Sequence, residues 1–177
     1  MLKAFNAVLQ RRPLATQMLF AGSVSAGGDV LAQALIEEKY DPIRSFRFAA
    51  LAGLFIAPSL HHWFHVLDRI KGGPMKLLPL KRLAIDQVFF SPVFNASILF
   101  NLRVLEGFSP AESFEKMKND WWPIWSTSIR IWPAVQLINL YFVPIHYRVI
   151  LIQTVAFFWN SFLSFKTQSA HLEKHIQ

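Results

Sequence analysis

A single carboxylate, Asp29, stands in an otherwise uncharged apolar stretch from residue 14 to residue 36. A carboxylate near the centre of a membrane-crossing helix costs about 2.5–3.5 kcal/mol on insertion scales, so such residues commonly mark ion or solute paths. The structural alternative is a protonated Asp that hydrogen-bonds a neighbouring helix. Asp86 lies near the start of its own apolar stretch, where it can reach lipid headgroups. Arg130 and Arg148 are the candidate cationic partners of these carboxylates.

Three histidines, His61, His62 and His65, lie close together, and His61 and His65 are about one helical turn apart. A zinc site needs a third protein ligand and a supporting shell, and the sequence offers only generic carboxylates and no cysteine. We therefore predict no metal and no other cofactor. The imidazoles are interpreted as lining a cavity or sensing pH.

The sequence lacks the common catalytic and nucleotide-binding motifs. HHWFH is not the HExxH of zinc proteases, Ala-Gly-Gly-Asp at 26–29 is not a dinucleotide loop, and no GxSxG occurs. We predict that the protein is not an enzyme. Its formal net charge of +7 does not indicate direct nucleic-acid binding, because the basic residues cluster between apolar segments rather than in an aromatic-interleaved stripe.

Charge-poor segments long enough to cross a bilayer surround these polar residues. Hydrophobic residues make up 53% of the chain, more than a soluble domain of 177 residues can bury. A helix needs roughly 20 apolar residues to cross a ~30 Å hydrocarbon layer. We predict an all-α integral membrane bundle in one domain, residues 1–177, with spans at about 14–36, 48–67, 83–102 and 149–165.

Three further segments complete the predicted domain. Residues 1–13 are basic and amphipathic, and are either a mitochondrial targeting signal or a helix on the membrane surface. Residues 109–120 begin with Ser-Pro-Ala-Glu, which predicts the start of an amphipathic helix. Residues 121–144 are apolar and are either interfacial or part of the last span; Trp121, Trp122 and Trp125 indicate an aromatic belt. The distribution of Lys and Arg places both termini on the matrix or cytosolic side.

Polar residues recur at helical spacing along every predicted span. Close helix packing uses such residues as hydrogen-bonding groups, whereas a channel uses them to line a water-filled path. Their presence on all spans favours a cavity. The candidate pore-lining or intramembrane polar residues are Asp29, Gln33, His61, His62, His65, Asp86, Gln87, Asn95, Arg130, Gln136, Asn139, Arg148, Gln153 and Asn160.

Pro133 and Pro144 bracket the most unusual apolar stretch. Each proline removes a backbone donor, so both predict helix breaks at membrane depth, where freed carbonyls must face protein or water. Gln136 and Asn139 are then expected to hydrogen-bond the irregular turn or a solute.

Several of these features occur together in one known family. They are Gly22, Gly28-Asp29, Gln33, the spacing of Asp41, Arg44 and Arg47, Trp63, Leu67-Asp68-Arg69, Asp86-Gln87, Pro92, the run WPAVQLINLYFVPIHYR at 132–148, Trp159, Leu163 and Ser164. Over nearly its whole length the chain resembles the peroxisomal membrane protein/Mpv17 family. It departs from the family pattern at Lys3, Ala57 and Leu140.

The resemblance implies a four-span protein of the mitochondrial inner membrane, or alternatively of the peroxisomal membrane. It also implies a weakly selective channel for small polar solutes, tied to mitochondrial homeostasis, the nucleotide pool, mitochondrial DNA maintenance and reactive oxygen metabolism. Four helices leave little room for a wide lumen, so a homo-oligomer, a trimer or larger, is a further expectation. The alternative function is a non-conducting membrane scaffold whose polar faces serve packing or partner binding.

Overall fold

The computed structural model of the chain describes residues 2–36 and 40–158, and every regular element within these ranges is helical. The predicted all-α class is confirmed. We number the helices α1 (Leu2–Arg11), α2 (Pro13–Ile36), α3 (Pro42–Arg69), α4 (Met75–Leu105), α5 (Pro110–Ser128), α6 (Trp132–Phe142) and α7 (Ile145–Phe158).

Three helices in the described part of the chain are long and apolar enough to cross a membrane. They are Pro13–Leu35 of α2 with 23 residues, α3 with 28 and α4 with 31. They correspond to the first three predicted spans, although α3 and α4 extend beyond the predicted bounds at both ends. Helix α7 contains the beginning of the predicted fourth span, whose remainder, including Asn160, lies outside the described residues. The count of four spans therefore stays a prediction.

The starts of two helices are fixed by capping side chains. The Asp41 carboxylate accepts hydrogen bonds from the backbone N–H groups of Ile43 and Arg44, so α3 begins well before the predicted residue 48. At α5, Ser109 and Glu112 form a capping box, which confirms the predicted helix start. The hydrogen bonds from Ser109 lower the pKa of the Glu112 carboxyl. Helix α5 passes the predicted end at residue 120 and continues to Ser128.

Both long helices α3 and α4 widen into a π-helical turn just before a proline. Leu51–Ile56 precedes Pro58, and Asp86–Phe90 precedes Pro92. A proline ring clashes with the carbonyl one turn earlier and donates no hydrogen bond, which kinks or ends an ordinary α-helix. The wider turn bonds each N–H to the carbonyl five residues back, as from Ser91 to Asp86, and so accommodates the proline without ending the helix.

The chain forms two compact units. Of the described residues, 2–36, 40–57 and 150–158 belong to the first unit, and Pro58–Val149 form the second. In the first unit α2 and α3 approach closely at two glycines. A Cβ atom added to Gly53 would lie 3.0 Å from the Met18 backbone oxygen, and one added to Gly22 would lie 3.2 Å from the Ala49 oxygen. Small residues at this contact allow the two backbones to pack together.

We expect Gly53→Val to lower the free energy of unfolding by about 1–2 kcal/mol, because the added side chain overpacks the contact with α2. Gly27→Val is the matched control, since a Cβ atom at Gly27 meets nothing within 4 Å. Thermal unfolding of the purified protein in detergent compares the two variants. Equal losses of stability at both positions would contradict the close helix contact.

In the second unit α4 and α5 pack side by side across a short turn at Gly107, which has a positive φ of 99°. The Trp121 indole Nε1 donates to the Pro92 carbonyl oxygen at 3.0 Å and stacks against Trp125 at 5.5 Å between ring centroids. Pro92 lies about 13 residues, or about 20 Å, before the end of α4. The tryptophan cluster therefore lies alongside the middle of α4, and its position at a bilayer interface stays a prediction.

The helix breaks predicted at the two prolines are confirmed. Helix α5 ends at Ser128, and α6 begins at Trp132 with Pro133 in its first turn. Helix α6 ends at Phe142, and Val143 is extended, with φ −101° and ψ 123°, immediately before Pro144. The apolar segment 121–144 is thus divided between the end of α5 and a separate short helix.

Candidate functional site

In the first unit the Asp29 carboxylate is buried, with 7% of the residue exposed. Its Oδ1 atom lies 2.9 Å from the Arg44 Nε atom. Its Oδ2 atom accepts hydrogen bonds from Ser45 Oγ at 2.7 Å and from Gln33 Nε2 at 2.6 Å. The inward orientation expected of Asp29 and Gln33 is therefore observed, and the carboxylate is balanced by a cation on the neighbouring helix.

The Gln33 amide connects the end of α2 to the start of α3. Its Nε2 group donates to the Asp41 carbonyl at 3.1 Å, and its Oε1 atom accepts from the Asp41 backbone N–H. The same Asp41 residue caps α3 and so fixes the helical turn that carries Arg44. Local capping and a buried amide together position the cation against Asp29.

The expected cationic partners of the carboxylates were wrong. Arg44, rather than Arg130 or Arg148, pairs with Asp29. A charged residue ends an uncharged apolar segment, so the predicted spans left Arg44 in the connection between the first two. In the structure α3 continues through Arg44. The useful signal was the Asp41 cap, which predicts that Arg44 is helical and therefore on a definite face of α3.

A cavity of about 160 Å³ lies in the first unit among α2, α3 and α7. Its polar lining consists of Ser25, Asp29, Arg44 and Gln153, and its apolar lining includes Val24, Ala32, Phe48, Ala156 and Phe157. Gln153 is 5% exposed, and its Nε2 atom has no hydrogen-bond partner. The structure thus brings two candidate pore-lining residues, Asp29 and Gln153, together with Ser25 and Arg44.

In the second unit Asp86 forms the centre of another buried polar group. Trp63 Nε1 donates to Asp86 Oδ1 at 2.7 Å, and Gln87 Nε2 donates to Oδ2 at 2.8 Å. Gln136 lies close to the same carboxylate and accepts a hydrogen bond from Asn139 Nδ2 at 3.2 Å. Asp86 is 3% exposed and lies about 11 residues, about 16 Å, after the start of α4. That its carboxylate reaches headgroups stays a prediction.

Gln136 and Asn139 do not hydrogen-bond the helix break, so the first of their two expected roles was wrong; the second, hydrogen bonding to a solute, stays a prediction. The freed Val143 carbonyl accepts a hydrogen bond from Arg148 Nε at 3.1 Å. Gln136 and Asn139 lie on the buried face of α6, where they extend the polar group around Asp86. The Asn139 Oδ1 atom is buried and has no hydrogen-bond partner.

Two buried arginines of the second unit converge on Asp68, which sequence reasoning did not select. Arg82 Nη1 lies 2.8 Å from Asp68 Oδ1, and its Nη2 group donates to the carbonyls of Asp68 and Ile70. Arg148 Nη1 lies 3.5 Å from the same Asp68 oxygen. Arg82 lies just before the predicted span 83–102 and was not among the candidate site residues. Its burial could not be read from its neighbours in the sequence.

The three histidines do not form the buried face of α3 in this unit. That face is apolar and consists of Leu60, Phe64 and Leu67. His62 is exposed, while His61 and His65 are half-buried with ring centroids 4.4 Å apart. In the ranges that the structure describes, no group of three or more His, Asp or Glu side chains is arranged to hold a metal ion.

The remaining predicted residues are not brought into either polar group. Asn95 is half-buried on α4, and its Oδ1 atom has no hydrogen-bond partner. Arg130 is exposed between α5 and α6. Asn160 lies outside the described residues.

Known proteins match this chain over nearly its whole length. The sequence model of the Mpv17 / PMP22 family matches residues 103–164. Two relatives are called "Mitochondrial inner membrane protein Mpv17". The one from Caenorhabditis briggsae is 56% identical to this chain, and the match covers 98% of this chain and 96% of the relative. The one from Homo sapiens is 36% identical, and the match covers 93% of this chain and 96% of the relative. The chain belongs to the Mpv17 / PMP22 family. No solved structure matches it.

Family membership confirms the resemblance inferred from the residues and selects between the two predicted locations. The Caenorhabditis elegans relative, 50% identical over 94% of this chain and 93% of its own length, carries the same name. Together with the three membrane-capable helices, these relatives place this member of the Mpv17 / PMP22 family in the mitochondrial inner membrane as a multi-pass protein.

Proposed function

We propose that this Mpv17-family chain is a weakly selective channel for small polar solutes in the mitochondrial inner membrane. The observation that carries the proposal is the cavity of about 160 Å³ lined by Asp29, Arg44 and Gln153, on or beside helices long enough to span a bilayer. A cavity with several polar groups supports water or a polar solute rather than a lipid chain.

The proposal includes four crossings, with α7 beginning the last one and both termini on the matrix side. A trimer or larger assembly would enlarge the path that one chain leaves narrow. Support of mitochondrial homeostasis, the nucleotide pool, mitochondrial DNA and reactive oxygen metabolism would follow indirectly from solute supply. We propose no catalysis, no cofactor and no direct nucleic-acid contact.

A non-conducting scaffold is the second candidate function, and one observation favours it. Both Asp29 oxygens already accept contacts from within the first unit, from Arg44, Ser45 and Gln33. Polar side chains that are paired in this way join transmembrane helices without any solute. In a scaffold the cavity would be a packing defect, and filling it would leave transport unchanged because none occurs.

Solute flux into liposomes containing the purified protein separates the two functions. We expect Ser25→Phe to lower the flux of small uncharged solutes at least tenfold, because the ring fills the cavity that Ser25 lines. Ser23→Phe is the matched control, since Ser23 is exposed on the same helix. A series of solutes of increasing size gives the limiting diameter of the path.

The outcomes are distinct for the two candidates. Flux above that of protein-free liposomes, reduced by Ser25→Phe and unaffected by Ser23→Phe, supports the channel. If liposomes that contain the wild-type protein show no more solute flux than protein-free liposomes, and circular dichroism shows that the protein is folded and helical, the scaffold is favoured.

A further inference from the structure

Two buried arginines of the second unit share a single carboxylate. Arg82 and Arg148 are 8% and 6% exposed. Both contact the same Asp68 oxygen, Oδ1, Arg82 at 2.8 Å and Arg148 at 3.5 Å. Asp86, the acidic residue within α4, already accepts two side-chain hydrogen bonds of its own. The cluster of Asp68, Arg82 and Arg148 therefore carries an excess of one positive charge.

The protein compensates Arg148 less fully than Arg82. Arg82 Nη2 donates to the carbonyls of Asp68 and Ile70 at the end of α3, in addition to the contact of Nη1 with the carboxylate. Arg148 Nε donates to the Val143 carbonyl, but its Nη1 atom is buried and has no hydrogen-bond partner. Buried charged groups are normally paired and hydrogen-bonded. Arg148 is thus the cation that lacks an anion.

The cluster lies close to the ends of three helices. Asp68 is the residue before the last of α3, Arg82 is the eighth residue of α4, and Arg148 is the fourth of α7. Helix α4, with 31 residues, is about 46 Å long and exceeds the ~30 Å hydrocarbon layer, so its ends reach the headgroup region. The N-termini of α4 and α7 also add positive partial charge here.

The exposed surface beside this cluster is basic and apolar. Between residues 66 and 85 the chain has five basic residues and one acidic residue, Asp68. Lys76 and Lys81 are exposed, and exposed apolar side chains alternate with them; these are Met75, Leu77 and Leu80. Lysines interleaved with exposed apolar residues are typical of segments that lie on anionic membranes.

The beginning of α4 and Arg148 meet at the same end of α6. The Tyr141 hydroxyl group donates to the Lys76 carbonyl oxygen, and Arg148 Nε donates to the Val143 carbonyl oxygen. Both contacts lie within one residue of Phe142, where α6 ends. The exposed lysines and the buried arginines therefore belong to one surface, which we call the basic surface (Lys76, Lys81, Arg82 and Arg148).

We propose that the basic surface binds the phosphate of an anionic membrane phospholipid. A phosphodiester carries one negative charge, which matches the excess of the buried cluster, and guanidinium groups bind phosphate oxygens well. The phosphate lies beside Arg148 and the lysines, and the acyl chains lie against Met75 and Leu80. The exposed apolar side chains favour a lipid over free phosphate, since they gain from burial in the bilayer. This site goes beyond the channel, because binding does not require that the chain conducts solutes.

Native mass spectrometry of the full chain counts bound lipids directly. The protein is released from detergent micelles that contain equal amounts of dioleoyl-phosphatidylglycerol and dioleoyl-phosphatidylcholine, which have the same acyl chains and net charges of −1 and 0. We expect phosphatidylglycerol to be retained about tenfold more often than phosphatidylcholine. An excess of sodium phosphate should not displace it, because free phosphate makes no apolar contacts.

The exposed lysines can be replaced without disturbing the buried arginines. The double variant Lys76→Gln with Lys81→Gln is expected to lower the preference for phosphatidylglycerol about fivefold. Lys116→Gln with Lys118→Gln is the matched control, since these two lysines are exposed on α5 and their loss changes the net charge equally. The control should keep the wild-type preference.

Asp68→Asn distinguishes lipid binding from a purely structural role of the arginines. The substitution removes the carboxylate that competes with the lipid phosphate for Arg148, so retention of phosphatidylglycerol should rise about threefold. Arg148→Gln should abolish the preference between the two lipids. Circular dichroism of each variant shows that the helices are intact before lipids are counted.

Four results would overturn the site. They are equal retention of the two lipids by the wild-type chain, equal effects of the two lysine double variants, weaker retention of phosphatidylglycerol by Asp68→Asn, and displacement of the lipid by sodium phosphate. The last result would assign the basic surface to a soluble phosphate. Solute flux into liposomes is measured separately, so loss of the channel proposal leaves this site unaffected, and the reverse also holds.

Discussion

Replacing Arg44 by Leu is expected to lower the free energy of unfolding by about 3 kcal/mol. The substitution leaves the Asp29 carboxylate buried with only Gln33 and Ser45 as donors. Removing one member of a buried ion pair typically costs 3–5 kcal/mol, and the 34% exposure of the Arg44 side chain places the effect at the lower end. Thermal unfolding in detergent should show a decrease of about 6–12 °C for a chain of this size.

The double variant Asp29→Asn with Arg44→Leu is the control for this ion pair. It removes the uncompensated charge along with the cation, so it should be more stable than Arg44→Leu alone. Arg47→Leu, on the same helix but outside the cavity lining, should change the unfolding temperature much less. If the double variant loses as much as the sum of the two single variants, Arg44 and Asp29 do not interact.

The all-α class and the three long apolar helices could be predicted from the sequence better than the helix ends. Apolar run length located α2, α3 and α4, because a window of uncharged residues is a direct consequence of the hydrocarbon layer. The same test placed the starts of α3 and α4 too late, since it stops at charges. Asp41 caps α3, and Arg44 and Arg82 lie within helices with their side chains paired.

The polar contacts depend on information that spacing alone does not contain. Helical periodicity showed that Asp29 and Gln33 share a face, and the structure buries that face. It could not choose Arg44 as the partner, because the choice depends on how α2 and α3 meet at Gly22 and Gly53. Many cations follow Asp29 in the sequence, and helix packing decides which one reaches it.

The histidines also show that helical spacing does not predict which face of a helix is buried. His61 and His65 share a face of α3, as the spacing predicts, and their rings are in contact. Periodicity does not say which face of a helix is buried, and in the second unit the apolar face with Phe64 is the buried one. A polar stripe therefore predicts a cavity only where a second helix supplies complementary groups, as α3 does for Asp29.

The second large effect is expected at Asp68, whose replacement by Asn should lower the free energy of unfolding by about 2–3 kcal/mol. Arg82 and Arg148 are both buried, and each loses its carboxylate partner in this variant. The effect stays below that of a fully buried pair because the Asp68 side chain is 47% exposed and Arg82 keeps two backbone carbonyl acceptors. Thermal unfolding in detergent measures the loss.

Glu115→Gln supplies the matched comparison, because Glu115 pairs with Lys118 at 3.3 Å with both side chains exposed. Its removal should change the free energy of unfolding by less than about 0.5 kcal/mol. Adding Arg148→Leu to Asp68→Asn should recover part of the lost stability, since one unpaired buried cation is then absent. If Asp68→Asn and Glu115→Gln have equal effects, the Asp68 carboxylate does not hold the two arginines.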